Sequence, residues 1–210
     1  MLKHILLATS VLALSATASA NLTFKAGLGY LDPTAEKDIA TGLPNAKVSS
    51  EMAVLPSFDY RFANSPFSAE LLLASPFEHT VSVGANDANR SDVDANRSDV
   101  AKFKHLPPTL TFKYNTPEVN GFGANIGLGA TVLVPYEEEL LGSNAKLEAD
   151  TVVAPAAQIG VTYSKPSSPW GLFADVRYVD LKTDLEVDGA KIGELEVNPV
   201  VYALGVSHKF

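Results

Sequence analysis

Between residues 122 and 136 every second side chain is apolar: Phe122, Ala124, Ile126, Leu128, Ala130, Val132, Val134 and Tyr136. The positions between hold Asn125, Gly127, Gly129 and Thr131. Successive side chains of a β-strand point to opposite faces, so a period of two makes this a strand with one apolar face and one small or polar face. The alternation recurs at residues 22–30, where Leu22, Phe24, Ala26, Leu28 and Tyr30 share a face. It recurs at 52–62 through Met52, Val54, Pro56, Phe58, Tyr60 and Phe62. Segments 68–78, 105–116, 151–164, 170–182 and 196–210 behave alike, which gives about eight strands.

The links between these strands alternate in kind. Residues 63–66, 117–120 and 164–169 are short and rich in turn formers, whereas 32–48, 79–104, 138–150 and 184–195 are longer and more polar. Short turns at one rim and long loops at the other describe an all-β, eight-stranded, antiparallel up-and-down transmembrane β-barrel, with both termini on the short-turn, periplasmic side. A soluble exported barrel would hide its apolar side chains and show polar ones to water. Here the apolar face carries aromatics near its ends (Phe24, Tyr30, Phe58, Phe62, Phe112, Tyr114, Phe122 and Tyr136), and the other face is rich in Gly, Ser, Thr, Asn, Lys and Asp. That is a lipid-facing surface with interfacial girdles around a narrow lumen.

Composition removes other classes. A formal net charge of -8 opposes nucleic-acid binding. The absence of cysteine excludes disulfide scaffolds, thiolate zinc sites and thiol catalysis. Fourteen Gly and 13 Pro interrupt the chain too often for a helix bundle. Residues 1–20 read as a cleaved signal peptide: Lys3 and His4, an apolar stretch over 5–14, then Ala18-Ser19-Ala20 before Asn21. The remainder, 21–210, reads as one barrel domain in the outer membrane of a Gram-negative bacterium.

Three strings then point to a family. Glu70-Leu71-Leu72-Leu73-Ala74-Ser75-Pro76-Phe77-Glu78-His79, Leu106-Pro107-Pro108-Thr109-Leu110 and Asn198-Pro199-Val200-Val201-Tyr202 with terminal Phe210 resemble the OmpW/AlkL family in the expected order. The chain departs from the family's usual aromatic-Arg-Phe ending, having His208-Lys209-Phe210, and Trp170 is its only tryptophan. The resemblance implies passive uptake of small hydrophobic molecules across the lipopolysaccharide layer. The terminal Phe210 on an alternating strand resembles the signal by which barrel-assembly machinery accepts such chains. Outer-membrane lipid, lipopolysaccharide and small hydrophobic solutes are the expected partners.

The inward positions sort by height. Toward the periplasm lie Lys25, Asp59, Arg61, Glu70 and Lys113, with Asp175 and Arg177 somewhat higher. Unpaired buried charges are costly, so these are expected to pair into a plug. Above them come Leu55, Leu72, Ala74 and Leu133, with Pro76, Ala154 and Ala156, an apolar upper lumen. A solute entering from outside would partition into it and, blocked below, leave sideways. Pro56, Pro76, Pro107, Pro108, Pro135 and Pro155 lie in or beside strands, where each removes a ladder donor.

The rival readings are a non-transporting barrel whose loops bind a partner or stabilise the membrane, and a general ion pore. The direct repeat ANRSDVD/ANRSDVA at 88–101 reads as a duplication in an exposed loop. The acidic Glu137, Glu138, Glu139, Glu148 and Asp150 read as a solvated loop or as ligands for bridging divalent cations. His79 and His105 flank the second loop and are expected to form a structural pair. No nucleophile elbow, HExxH or phosphate loop occurs, so neither catalysis nor a resident cofactor or metal is expected. Mass spectrometry of the exported chain should find Asn21 at its N-terminus; a retained leader would contradict the cleavage site.

Overall fold

The computed structural model describes residues 21–34, 46–84, 97–143 and 145–210; the expected leader lies outside them. In chain order the strands are β1 (Leu22–Pro33), β2 (Ala46–Val48), β3 (Glu51–Arg61), β4 (Phe67–Leu72), β5 (Phe77–Gly84), β6 (Arg97–Leu106) and β7 (Thr109–Asn115). They continue as β8 (Phe122–Leu140), β9 (Leu147–Ala149), β10 (Val152–Ser164), β11 (Trp170–Val179), β12 (Lys182–Val187), β13 (Ala190–Glu196) and β14 (Pro199–Lys209).

Eight of these close a barrel in the order β1, β3, β4, β7, β8, β10, β11, β14 and back to β1, with every neighbour antiparallel. The closing seam pairs the first and last strands from Thr23↔Lys209 to Pro33↔Pro199. Closure removes the unpaired edges that no bilayer could solvate. The short links are tight turns. In two of them an Asn, Asn64 (φ 57) or Asn120 (φ 52), takes the left-handed conformation that its short polar side chain tolerates.

Which face is apolar decides the barrel's surroundings. Leu28, Val54, Leu110, Leu128, Ile159, Leu172 and Leu204, one on each of seven barrel strands, are all more than half exposed on the outside. Such a belt is at home in hydrocarbon, not water. On β8 it runs from Phe122 to Val134, about 30 Å when a strand rising ~3.3 Å per residue is tilted by roughly 45°. Aromatic rings crowd the short-turn rim: Phe67 stacks on Phe112 at 5.4 Å, Phe122 meets Tyr163 at 4.8 Å, and Trp170 meets His208 at 4.7 Å.

Above the belt the structure departs from the expected loops. Much of 79–104 is strand: β5 and β6 form a hairpin that β2 joins on one side and the upper end of β8 on the other. The region 184–195 is likewise the β12–β13 hairpin, which with β9 makes a three-stranded outer sheet. Polarity masked these strands, yet Val81, Ala101, Leu185 and Leu195 turn inward and are buried. The first copy of the repeat and the start of the second lie outside the described residues, and the second copy ends in β6. Tyr136 stands half-buried above the belt, where Glu137 (φ 52) and a bulge opposite β6 disturb the alternation.

Two predicted strands are each interrupted. One breaks into β4 and β5 at residues 73–76, the other into β6 and β7 at Pro107-Pro108. The second break is bridged, since Val132 N–H donates to Pro108 O at 3.0 Å. At the first, Leu73 and Ser75 N–H reach Pro56 and Val54 carbonyls, but no ladder joins β3 to β5 beyond them. The next tie is Ser49 N–H to Thr80 O at 3.0 Å.

Close packing at the closing seam needs glycine. A Cβ on Gly205 would lie 2.2 Å from Ala26 O and 2.5 Å from Gly27 Cα, so any side chain there must push β1 and β14 apart. Gly205→Ala should lower the stability of the refolded barrel by about 1–3 kcal/mol in urea titration; an unchanged midpoint would show that the seam yields freely.

Candidate functional site

The inward charges meet around Glu70, a fully buried carboxylate on β4. Lys25 (β1), Lys113 (β7) and Arg177 (β11) converge on it, Lys25 at 3.2 Å and Arg177 at 2.7 Å, and Ser57 Oγ donates to Oε1 at 2.8 Å. Lys25 also reaches Asp175 at 2.6 Å, Lys113 reaches Asp59 at 2.6 Å, and Arg177 reaches Asp175 at 3.1 Å. Three cations and three carboxylates thus balance across the lumen. Buried charges of this kind persist only when paired and hydrogen-bonded. Phe173 seats its ring under Lys25, with Nζ 4.2 Å from the centroid, a cation–π contact inside the network.

Arg61 is the exception among the residues expected in this plug. It is the last residue of β3, exposed, in none of these ion pairs, and lines a polar vestibule of about 230 Å³ on the periplasmic side. The inward row runs out at the rim, where Arg61 is exposed.

Leu55, Leu72, Ala74 and Leu133 come together above the plug. All four line one cavity of about 40 Å³ whose floor includes Arg177. A second, outer cavity of about 30 Å³ lies among Leu147, Leu185, Leu195, Val197 and the β5–β6 hairpin. The two share Leu31, His105, Leu133, Leu181 and Pro199, whereas neither shares a lining residue with the vestibule. Two small, mostly apolar cavities therefore adjoin one another above the plug, and the vestibule lies on its periplasmic side.

The expected histidine pair forms at the junction of the two cavities. His79 and His105 stack with centroids 5.0 Å apart and planes 11° from parallel, completed by Phe77 beside His105 and Phe103 beside His79. The hairpin register, Phe77↔His105 and His79↔Phe103, sets this two-by-two array on the inner face. His79 Nδ1 donates to Ser49 O at 2.7 Å. Standing above the lipid belt, both imidazoles are pushed toward neutrality by burial, His105 to about 3 with His79 beside it contributing. The acidic run has protein partners: Glu137 pairs with Lys104 at 2.8 Å, and Glu138 accepts from Ala149 N–H.

The profile of the OmpW family matches residues 18–210. The chain belongs to the OmpW family. Its relatives include the uncharacterized outer-membrane protein y4mB of Sinorhizobium fredii, 28% identical over 189 residues that span 88% of this chain and 77% of that protein. Outer membrane protein AlkL of Ectopseudomonas oleovorans is 25% identical over 172 residues, 80% of this chain and 71% of AlkL. In fold, this OmpW-family barrel is similar to the crystal structure of outer membrane protein OprG from Pseudomonas aeruginosa, with TM-score 0.74, 23% identity and coverage of 91% and 97% of the two chains. The solid-state NMR structure of AlkL in DMPC bilayers gives TM-score 0.63 at 19% identity, covering 93% and 92%. The protein is an OmpW/AlkL-type β-barrel of the Gram-negative outer membrane.

Sequence reasoning placed Ser57 on the inward face but not in the plug, and did not single out Phe173, Leu31 and Leu181 as lumen residues. For the first three the signal was parity: Ser57 alternates with Leu55 and Asp59, Phe173 with Asp175 and Arg177, and Leu31 with Lys25. Leu181 stands past the end of β11 but keeps the parity of Asp175 and Arg177 within the predicted segment 170–182.

Two measurements test the site's energetics. Glu70→Gln leaves three cations without their shared carboxylate and should cost about 3–5 kcal/mol in urea unfolding, against roughly 0.5 kcal/mol or less for Arg61→Ala; equal losses would contradict the plug's geometry. His105 is held neutral in the fold but protonates near 6.5 when unfolded, so its stabilising share is complete above about pH 6.5 and shrinks as pH falls toward 3. Hydrogen exchange in β5 and β6 should accelerate on going from pH 6.5 to 5, after correction for intrinsic rates, by an amount equivalent to roughly 2 kcal/mol. The change should be smaller in His105→Phe.

Proposed function

We propose that this barrel admits small hydrophobic molecules by passive diffusion, through the apolar outer lumen and sideways into the bilayer. The observation that carries the reading is the pair of apolar cavities that share five lining residues and end on the charge plug. Apolar surface entering such a lumen gains about 25 cal/mol per Å² removed from water, whereas the plug offers a desolvated solute no favourable continuation.

The wall beside the inner cavity supplies the exit. Ala74, in the break at 73–76, and Phe77, at its end, line that cavity, and on this edge β3 keeps only the Leu73–Pro56 and Ser75–Val54 bonds beyond its ladder with β4. Pro76 sits in the break and has no N–H with which to close it. The cavities are small, each holding a water or two, so a solute passes only as Leu55, Leu72 and their neighbours shift rotamer. The resting conduit is closed.

A surface-binding role is the second reading, favoured by the outer sheet of β9, β12 and β13, which carries Glu186 and Glu194 on its strands and Asp188 in the turn between β12 and β13. Lipopolysaccharide, met through shared divalent cations, is the partner such a surface suits.

Uptake into liposomes carrying the refolded protein discriminates between them. A small apolar dye should enter faster than into empty liposomes, a polar dye of similar size should not, and Leu72→Asp should abolish the difference while the barrel stays folded. No acceleration by folded wild-type protein would overturn the conduit in favour of the surface role.

A further inference from the structure

The outer cavity is apolar except at four described residues: Glu138, Thr183, His79 and His105. Two of these are spoken for, since Glu138 Oε1 accepts from Ala149 N–H at 3.2 Å and Thr183 Oγ1 donates to Asp150 O at 3.1 Å. The imidazoles are not. His79 is 1% exposed and His105 5%, and His79 Nε2 and His105 Nδ1 are buried without a hydrogen-bond partner. Buried polar atoms are paired in the great majority of cases, and an orphan costs about 1–3 kcal/mol. Two orphans side by side, where two cavities meet, mark a place built to meet something polar.

We infer that His79 and His105 form a headgroup subsite in the lumen, recognising the hydroxyl of an otherwise apolar neutral molecule. The inference rests on the conduit reading and names its preferred substrate class. His79 Nδ1 is committed as a donor to Ser49 O, which fixes the tautomer and leaves Nε2 an acceptor. An alkanol or phenol O–H supplies the matching proton, and its oxygen can in turn accept from an imidazole N–H of His105. The apolar remainder of the molecule would lie along Leu31, Leu133 and Leu181, which line both cavities. An unsubstituted alkane fills the same space but leaves both nitrogens orphaned.

Charge favours a neutral headgroup over a carboxylate. Both rings are held in the neutral form by burial. The six charges of the plug cancel, and the chain carries a net charge of -8, so an anion would gain no compensating field and would lose its hydration. Arg177 Nε and Nη1, at the floor of the inner cavity, are also without partners, but so are Asp59 Oδ1 and Asp175 Oδ1 beside them, and that set is balanced within itself.

The test uses two readouts on the refolded full barrel. In bilayer nanodiscs, ¹⁵N signals of the His79 and His105 rings are followed while 1-octanol, octane or octanoate is added; 1-octanol should shift Nε2 of His79 and the other two should not. In liposomes, 1-octanol uptake should exceed octane uptake, after correction for empty vesicles, by about three- to tenfold, the worth of one neutral hydrogen bond. His79→Phe keeps an aromatic ring in the stack and should bring the ratio of 1-octanol to octane uptake down to about one. Equal ring shifts with octane, a larger response to octanoate, or a ratio that survives His79→Phe would each overturn the subsite. Ring shifts specific to 1-octanol without uptake of any probe would keep the subsite and overturn the conduit.

Discussion

The interior of an eight-stranded barrel is only as wide as its own side chains, and the rest of this structure follows from that shortage of space. Every inward residue must fit those from the neighbouring and facing strands, so bulk on one strand requires its absence on another. Gly160 shows the rule: a Cβ there would lie 2.1 Å from Asp175 Oδ1, so the glycine on β10 makes room for the carboxylate that Lys25 and Arg177 share. Gly29 does the same for Leu55, whose Cδ1 would lie 2.2 Å from an added Cβ. Sparse inward side chains on some strands and long charged ones on others are two halves of one packing solution.

The same narrowness sets the electrostatics. Water has little access between Lys25, Glu70, Lys113, Asp175 and Arg177, so these charges must satisfy one another. Glu70 can do so because it sits where three cations from three other strands arrive at one level. Above that level Glu138 is the one charged residue among the described cavity-lining residues, and the rest of the lining is mostly leucine, alanine, proline, threonine and aromatic. The transition from ionic to apolar takes one step of the period on β4, from Glu70 to Leu72.

Period and parity made the barrel legible in the sequence. A strand with one lipid face and one lumen face has only two classes of position, so Lys25, Asp59, Glu70, Lys113, Asp175 and Arg177 could be assigned inward before any contact was known. Parity says nothing about where a row ends, and Arg61, correctly inward in phase, falls at the rim. It is equally blind to the outer hairpins. Residues such as Thr80, Ser82 and Lys102 face water above the bilayer and read as loop, although β5 and β6 continue the wall. The histidine pairing was foreseen from proximity to one loop, but the stack with Phe77 and Phe103 depends on hairpin register, which turn and bulge geometry decide.

A tube plugged at its floor, with the proposed exit at its side, would bear on the gradients the cell maintains. Ions and nutrients in the periplasm would meet a neutral lattice of paired charges and stay where they are. A molecule taken in by the proposed route is delivered to a solvent, the hydrocarbon of the membrane, instead of to a compartment. Its onward movement is then governed by its oil–water partition coefficient, as in a liquid–liquid extraction. Such a barrel would speed the approach to equilibrium for oily molecules while leaving the envelope as tight as before to everything that prefers water.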